Sequence, residues 1–285
     1  MNKKLYNIEM KKKIGIIGLG LIGGSLGLAL KESEKYEIHG YDRNVKHRKE
    51  AQALGLVDKI VEFEEIGKVD ILFLSIPVEG IISVMNSIQN LKDDITIIDM
   101  GSTKQKIVES IPKHLRKNFV ASHPMAGTEK TGPTAGFKTL YKNRVVVLCD
   151  LEESGEKQKK ESEDIFKFLE MNILYMDSVE HDMHTAWISH LPHLISFSLA
   201  NSVMAQEKRA DILNLSAGGF RDMSRLAKSS PKMWRDISQQ NRDNLLNSIN
   251  HFQDELSKFK MMIENQEWNQ LEEKMKEANR LHEIL

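Results

Sequence analysis

Ile14-Gly15-Ile16-Ile17-Gly18-Leu19-Gly20-Leu21-Ile22-Gly23 is the stretch that decides how this 285-residue chain folds. A short apolar run rich in isoleucine ends on a glycine, two more glycines follow in the spacing G-x-G-x-x-G, and an uncharged segment continues to Leu30. The apolar run reads as a buried strand and residues 21–30 as a helix, with the glycines as the turn between them. Each glycine has its own task there. Gly18 permits the tight turn, Gly20 lets the backbone approach a pyrophosphate, and Gly23 lets the helix pack closely on the strand, with the phosphates at the helix N-terminus. Leu19, Leu21 and Ile22 complete the cradle.

Asp42 ends the next predicted strand, 24 residues beyond Gly18. A carboxylate at that place accepts hydrogen bonds from ribose hydroxyls and repels a 2′-phosphate, which favours NAD over NADP. Arg43 tempers this, since an arginine there either stacks on adenine or pairs with such a phosphate. Ser75 and Pro77, where a later strand ends, join the expected cofactor-binding set.

Outward from the turn, strand-like runs at 13–17, 37–41, 70–75, 95–99, 119–122, 144–149 and 173–176 alternate with helical segments. That alternation predicts a Rossmann-type, doubly wound parallel sheet covered by helices, and several runs are too uniformly apolar to have a wet face. Beyond Asp177 the β-branched runs vanish. Segments such as 187–204, 245–263 and 268–285 show helical periodicity, so the fold class is α/β: a dinucleotide-binding domain over 1–177 followed by an all-α domain over 178–285. The helices 187–204 and 245–263 carry more apolar surface than so small a domain buries, which predicts a homodimer formed through the helical half.

Composition excludes several classes. Lys and Arg number 40 against 41 Asp and Glu, a net charge of −1, so no electrostatic excess exists to hold nucleic acid or an anionic membrane. Lysines 11–13 before the uncharged stretch 14–30 resemble the start of a signal peptide, but six glycines interrupt that stretch and no small-x-small cleavage site precedes Lys31. The single cysteine, Cys149, sits in an apolar run and reads as a buried structural thiol. A reducing, cytoplasmic setting fits.

In an open parallel sheet the chemistry lies beyond the carboxyl ends of the strands. Two strand ends stand out: Asp99-Met100-Gly101-Ser102-Thr103-Lys104, and Ser122-His123-Pro124-Met125-Ala126-Gly127-Thr128-Glu129. Pro124 biases His123 toward extended backbone. Histidine suits hydride removal from a carbinol, because the hydroxyl proton must leave with the hydride and imidazole titrates near neutrality. Ser102 can orient the same hydroxyl. In the helical half, Arg221, Arg225 and Lys228 share a helical face after Gly218-Gly219 and before Trp234. The alternatives are a solvated basic face or an anion trap in which arginine clamps a carboxylate. His181, His184, His190 and His193 lack the spacing and partners of a metal site, and no metal is expected.

Together these segments resemble the prephenate and arogenate dehydrogenase family over nearly the whole chain. The carriers are Gly-Leu-Gly-Leu-Ile-Gly-Gly-Ser at 18–25, the Gly101-Ser102 loop, Ser-His-Pro-Met-Ala-Gly-Thr-Glu at 122–129, Ser-His-Leu-Pro-His at 189–193 and the segment 218–235. The resemblance implies oxidative decarboxylation of prephenate to 4-hydroxyphenylpyruvate with reduction of NAD, in tyrosine biosynthesis. It implies that His123 takes the proton of the ring hydroxyl while Ser102 places that group. It also implies that Arg225 binds the ring carboxylate, that His193 meets the substrate side chain, and that Thr128, Glu129, Asp222 and Trp234 line or gate the pocket. An arogenate dehydrogenase differs only in an amine on the substrate side chain. A 3-hydroxyacid-type dehydrogenase needs a catalytic lysine in a glycine-rich helix, which this sequence lacks, and an NAD-binding regulator without activity would not need His123 and Arg225.

Overall fold

The computed structural model describes residues 11–284; residues 1–10 of the first expected domain and Leu285 of the second lie outside the described residues. Eight strands form one sheet in the order β3-β2-β1-β4-β5-β6-β7-β8. They are β1 (Lys12–Ile17), β2 (Tyr36–Tyr41), β3 (Lys59–Ile60), β4 (Ile71–Leu74), β5 (Thr96–Asp99), β6 (Phe119–Pro124), β7 (Val145–Cys149) and β8 (Asn172–Met176). The order reverses between β1 and β4, so the loops after these two strands part there and open a crevice. Alternate residues feed two cores, as a pleated sheet buried on both faces requires. Ile14, Ile16, Phe73 and Ile98 pack on one face. Ile17, Leu72, Leu74 and Ile97 pack on the other. Each such side chain, taken fully from water, contributes on the order of 1.5–3 kcal/mol.

The sheet departs from the all-parallel expectation at one place: β7 runs antiparallel to β6, with His123 opposite Val147. Parallel neighbours need a crossover, and between β6 and β7 the chain offers only a 3₁₀ turn at Pro133–Ala135 amid Gly127, Gly132 and Gly136. The chain therefore returns directly. The helix Glu156–Phe168 then carries it over to β8, which is parallel to β7. The two-residue edge strand β3 had no readable period, being too short for one.

From Ser178 onward every element is helical. Asp177 caps the first of these helices, Ser178–Thr185, by accepting from the Glu180 N–H at 2.8 Å. The long helix expected over 187–204 is not regular. Ala186–His190 forms a π turn before the helix Leu191–Met204, and Leu191 N–H bonds to the carbonyl of Ala186. Pro192 is the cause: it has no N–H for the carbonyl of Ile188, so the turn widens. The helix Arg242–Glu264 is continuous, whereas the last expected helix breaks at Arg280 into Trp268–Asn279 and Leu281–Ile284. Ile188, Leu256 and Trp268 are 68%, 57% and 56% exposed, so this half leaves much apolar surface uncovered in a single chain. Among the described residues no helix is long and apolar enough to cross a membrane.

Candidate active site

The crevice between β1 and β4 is lined by backbone. Gly18 takes a φ of +94°, and a Cβ there would stand 2.3 Å from the carbonyl oxygen of Ser75. At Gly23 a Cβ would come within 1.9 Å of the carbonyl oxygen of Gly18, so helix and strand touch through that glycine. Gly20 is different, for a Cβ there would meet nothing within 4 Å. It opens on free space at the start of the Leu21–Leu30 helix, whose N-cap has no side-chain partner. Unpaired first-turn N–H groups beside free space are what a pyrophosphate requires, so these residues fit a dinucleotide.

Asp42 is buried at the crevice rim. One carboxylate oxygen accepts from Leu19 N–H at 3.0 Å and the other from Asn44 N–H at 2.8 Å. The carboxylate thus holds the glycine turn in shape and keeps lone pairs for ribose hydroxyls. His47, not singled out in the sequence, stands 3.3 Å from it. Arg43 is exposed, Pro77 starts the Val78–Ser87 helix, and the Ser75 hydroxyl is buried without a protein partner among the described residues.

His123 lies inside β6, one strand position further than expected, with the extended backbone that Pro124 favours. Its Nδ1 is 2.8 Å from Nε2 of His181. His181 Nδ1 is in turn 2.8 Å from Asp182 Oδ1. That carboxylate also accepts from the backbone N–H groups of Lys104 and Gln105 at 2.8 and 3.1 Å. Beneath them Lys104, fully buried, places its ammonium 2.5 and 2.6 Å from the Asp99 oxygens and 2.6 Å from the carbonyl of Ser122. Strands β5 and β6 are thereby tied together directly under His123. Burial, helped by neighbouring His181, Lys104 and His190, holds His123 well below the usual imidazole value of 6.5, so the ring is a neutral base near pH 7. Ser102 is half-buried in the loop after β5.

The helical half holds a second group, which reaches the loop after β6 through Arg225 and Glu129. His193 stacks on Trp234, ring centroids 3.7 Å apart at 26°, and its Nδ1 donates to the Ser189 carbonyl at 2.8 Å. Arg225 begins a 3₁₀ turn, Arg225–Lys228, instead of continuing the helix Gly218–Ser224. Its guanidinium stands 3.8 Å from the Glu129 carboxylate and is 56% exposed, so the pair is loose and wet. The Arg225 charge also helps keep His193 neutral, after burial. Trp234 Nε1 and His190 Nε2 are buried with no protein partner among the described residues. Thr128, on the loop with Glu129, and Asp222, one turn before Arg225, are exposed and are not drawn into this group.

Lys104, His181, Asp182 and Asn241 escaped the sequence reading as site residues. Asn241 joins them by donating to the Asp182 carbonyl at 2.6 Å, while its amide lies 3.1 Å from His190 Nδ1. His181-Asp182 had a trace in sequence, an adjacent ionisable pair among the histidines at 181–193, but no local motif announces a contact with a strand 58 residues earlier.

Residues 26–175 match the family described as prephenate dehydrogenase, nucleotide-binding domain, and residues 177–277 match prephenate dehydrogenase, dimerization domain. A cyclohexadienyl dehydrogenase of Zymomonas mobilis is 34% identical over 94% of each chain. The crystal structure of prephenate dehydrogenase from A. aeolicus in complex with hydroxyphenyl propionate and NAD+ is 31% identical, with a TM-score of 0.88 over 98% of this chain and all of that one. Synechocystis arogenate dehydrogenase is 27% identical, with a TM-score of 0.76 over 95% of this chain and 99% of that one. With both family domains matched in order along the chain, it belongs to the prephenate dehydrogenase family, a dehydrogenase with a nucleotide-binding half and a dimerization half.

Proposed function

We propose that this chain oxidises and decarboxylates prephenate to 4-hydroxyphenylpyruvate, with NAD as the hydride acceptor. One observation carries the reading: the loop that leaves β6 just past His123, a neutral imidazole, meets Arg225 of the helical half through Glu129, 3.8 Å from its guanidinium. A dianion in a protein of net charge −1 needs such local donors. Gly18, Gly20 and Gly23 would hold NAD, with Asp42 at its ribose, and the bound cofactor would supply the hydride sink. His123 takes the ring hydroxyl proton as C4 loses its hydride. The ring carboxylate leaves as carbon dioxide, its bonding pair aromatises the ring, and the proton returns to the phenolate oxygen. Ser102 orients the hydroxyl. Arg225 binds the ring carboxylate, for which it must part from Glu129, and Glu129, Thr128 and Asp222 line the mouth.

A second reading, arogenate, has an observation of its own. His193 Nδ1 donates to a carbonyl, so the neutral ring presents a lone pair at Nε2, which accepts from a substrate ammonium and not from a keto oxygen. NADH formation with prephenate and with arogenate, side by side, tests both. Faster turnover of prephenate is expected; turnover of arogenate alone would replace the first reading by the second, and turnover of neither would remove both.

We further infer a domain boundary at 177/178, a homodimer through the helical half, and a cytoplasmic setting. The uncovered apolar helices support the dimer, as does an apolar groove of about 500 Å³ that lies beside the active site and is lined by Val145, Leu174, Trp187 and Ile188. Cys149 is buried, its thiol pushed up to about 12, as a structural cysteine would be. A monomeric mass in light scattering would overturn the dimer.

A further inference from the structure

We propose that His181, held by Asp182, is a positioning residue that fixes His123 as the tautomer protonated at Nδ1, so that the Nε2 lone pair faces the substrate. The inference rests on His123 being the base, and it follows from counting donors. Backbone N–H groups only donate, so both Asp182 oxygens act as acceptors toward Lys104 and Gln105. The contact of His181 Nδ1 with Oδ1 is then a donation from the ring. Burial, the largest influence on His181, keeps that ring from taking a second proton, which leaves a lone pair at Nε2. His123 Nδ1, 2.8 Å away, must supply the hydrogen. A neutral imidazole has one N–H, so Nε2 of His123 is bare, and it has no partner among the described residues.

The same chain of bonds steadies the base when it works. As His123 becomes positively charged, its Nδ1–H bond to His181 strengthens, and the Asp182 carboxylate stands behind His181 to offset the charge. Lys104 and His190 oppose it, since both hold His123 toward neutrality. The charge is therefore transient and returns with the proton to product. Asp182 is immobile because three elements grip it: Lys104 and Gln105 at the start of the Gln105–Ser110 helix, His181 on its own helix, and Asn241 at the end of Pro231–Gln240.

Glutamine is the informative replacement at position 181, because its amide carries both an acceptor for His123 and a donor for Asp182, whereas phenylalanine keeps the bulk and carries neither. ¹⁵N NMR of the free protein reads the His123 tautomer without substrate, so a wrong substrate assignment cannot disturb it. The expected results are Nδ1–H on His123 in the unaltered protein and in His181→Gln, mixed tautomers in His181→Phe, and a kcat about tenfold or more lower in His181→Phe at similar KM, largely restored in His181→Gln. An Nε2–H tautomer in the unaltered protein would overturn the inference. So would an unchanged tautomer in a folded His181→Phe, even one with reduced activity, because a purely structural role lowers activity and leaves the tautomer alone.

Discussion

Two glycines of one turn are predicted to fail in opposite ways when a single methyl group is added. At Gly20 the backbone is extended, φ −74° and ψ −156°, and an added Cβ meets no protein atom within 4 Å. Alanine there reduces the freedom of the unfolded chain, a gain of about 0.4–1 kcal/mol, so the melting temperature should hold or rise. On the proposed assignment, the methyl would instead occupy space left for the dinucleotide. Overpacking of about 1–3 kcal/mol transfers to binding as a Kd for NAD about 5- to 150-fold weaker. At Gly23 the Cβ lands 1.9 Å from the Gly18 carbonyl oxygen, where neither atom belongs to a flexible side chain. Helix and strand must part, at a cost near the top of the overpacking range, about 3 kcal/mol. A lowering of Tm by about 6–12 °C follows from about 2–4 °C per kcal/mol for a chain of this size. Thermal denaturation without ligand and calorimetric titration with NAD separate the two. Wild-type NAD affinity in Gly20→Ala, or a wild-type Tm in Gly23→Ala, would refute the assignment of the crevice.

Four other outcomes are expected. His123→Asn should lower kcat by about a hundredfold or more with modest change in KM, measured as NADH formation, because it removes acid–base catalysis alone. Arg225→Gln should chiefly raise KM, by roughly tenfold or more for a lost charged hydrogen bond, while NAD affinity stays unchanged in titration. Asp42→Asn can keep only one of the two bonds from the Leu19 and Asn44 N–H groups through its amide oxygen and loses the repulsion of a 2′-phosphate, so NADP use should rise in steady-state assays while Tm falls by a few degrees for the unpaired N–H. Burial holds His123, His181 and His190 below 6.5, the last at about 4, so the folded protein binds fewer protons than the unfolded chain in that window. Stability should therefore fall as pH drops below 6.5, visible as a lower Tm near about pH 5 than at neutrality, and a Tm that is flat or rising over that range would contradict the burial of these rings.

The nucleotide half was legible because its information is local. Ile14 to Gly23 sets a strand, a turn and a helix within ten residues, and the structure keeps all three. The direction of β7 was not legible from length, since the link from β6 (residues 125–144) is long enough for a crossover; its glycines and proline form only a 3₁₀ turn, and strand-like composition alone does not carry direction. The break at the π turn follows from Pro192, one residue read only as lying within an apolar helix. The second layer of the site was illegible for a different reason. His181 and Asp182 act through partners 58 and 78 residues earlier, and no periodicity encodes a contact between a strand end and a helix in the other half.

That contact has a consequence for how the two halves divide the work. The sheet alone brings Gly18, Gly20, Asp42 and His123 to one edge, enough to hold a nucleotide and present an imidazole. Its own atoms leave the proton on that imidazole undetermined, because Lys104 and Asp99 satisfy each other and offer His123 nothing. The missing acceptor arrives with the first helix of the second half, whose Asp182 is received by backbone N–H groups of the first. The same half brings Arg225 and His193. On the proposed roles, docking of the halves does more than close a cleft over substrate: the contacts that hold His181 would also decide which nitrogen of His123 meets the hydroxyl. On those roles, a base assembled across the junction is competent only when that junction is formed, so loosening it is expected to weaken substrate binding and proton transfer together, while the glycine turn, wholly within the nucleotide-binding half, is expected to keep its nucleotide.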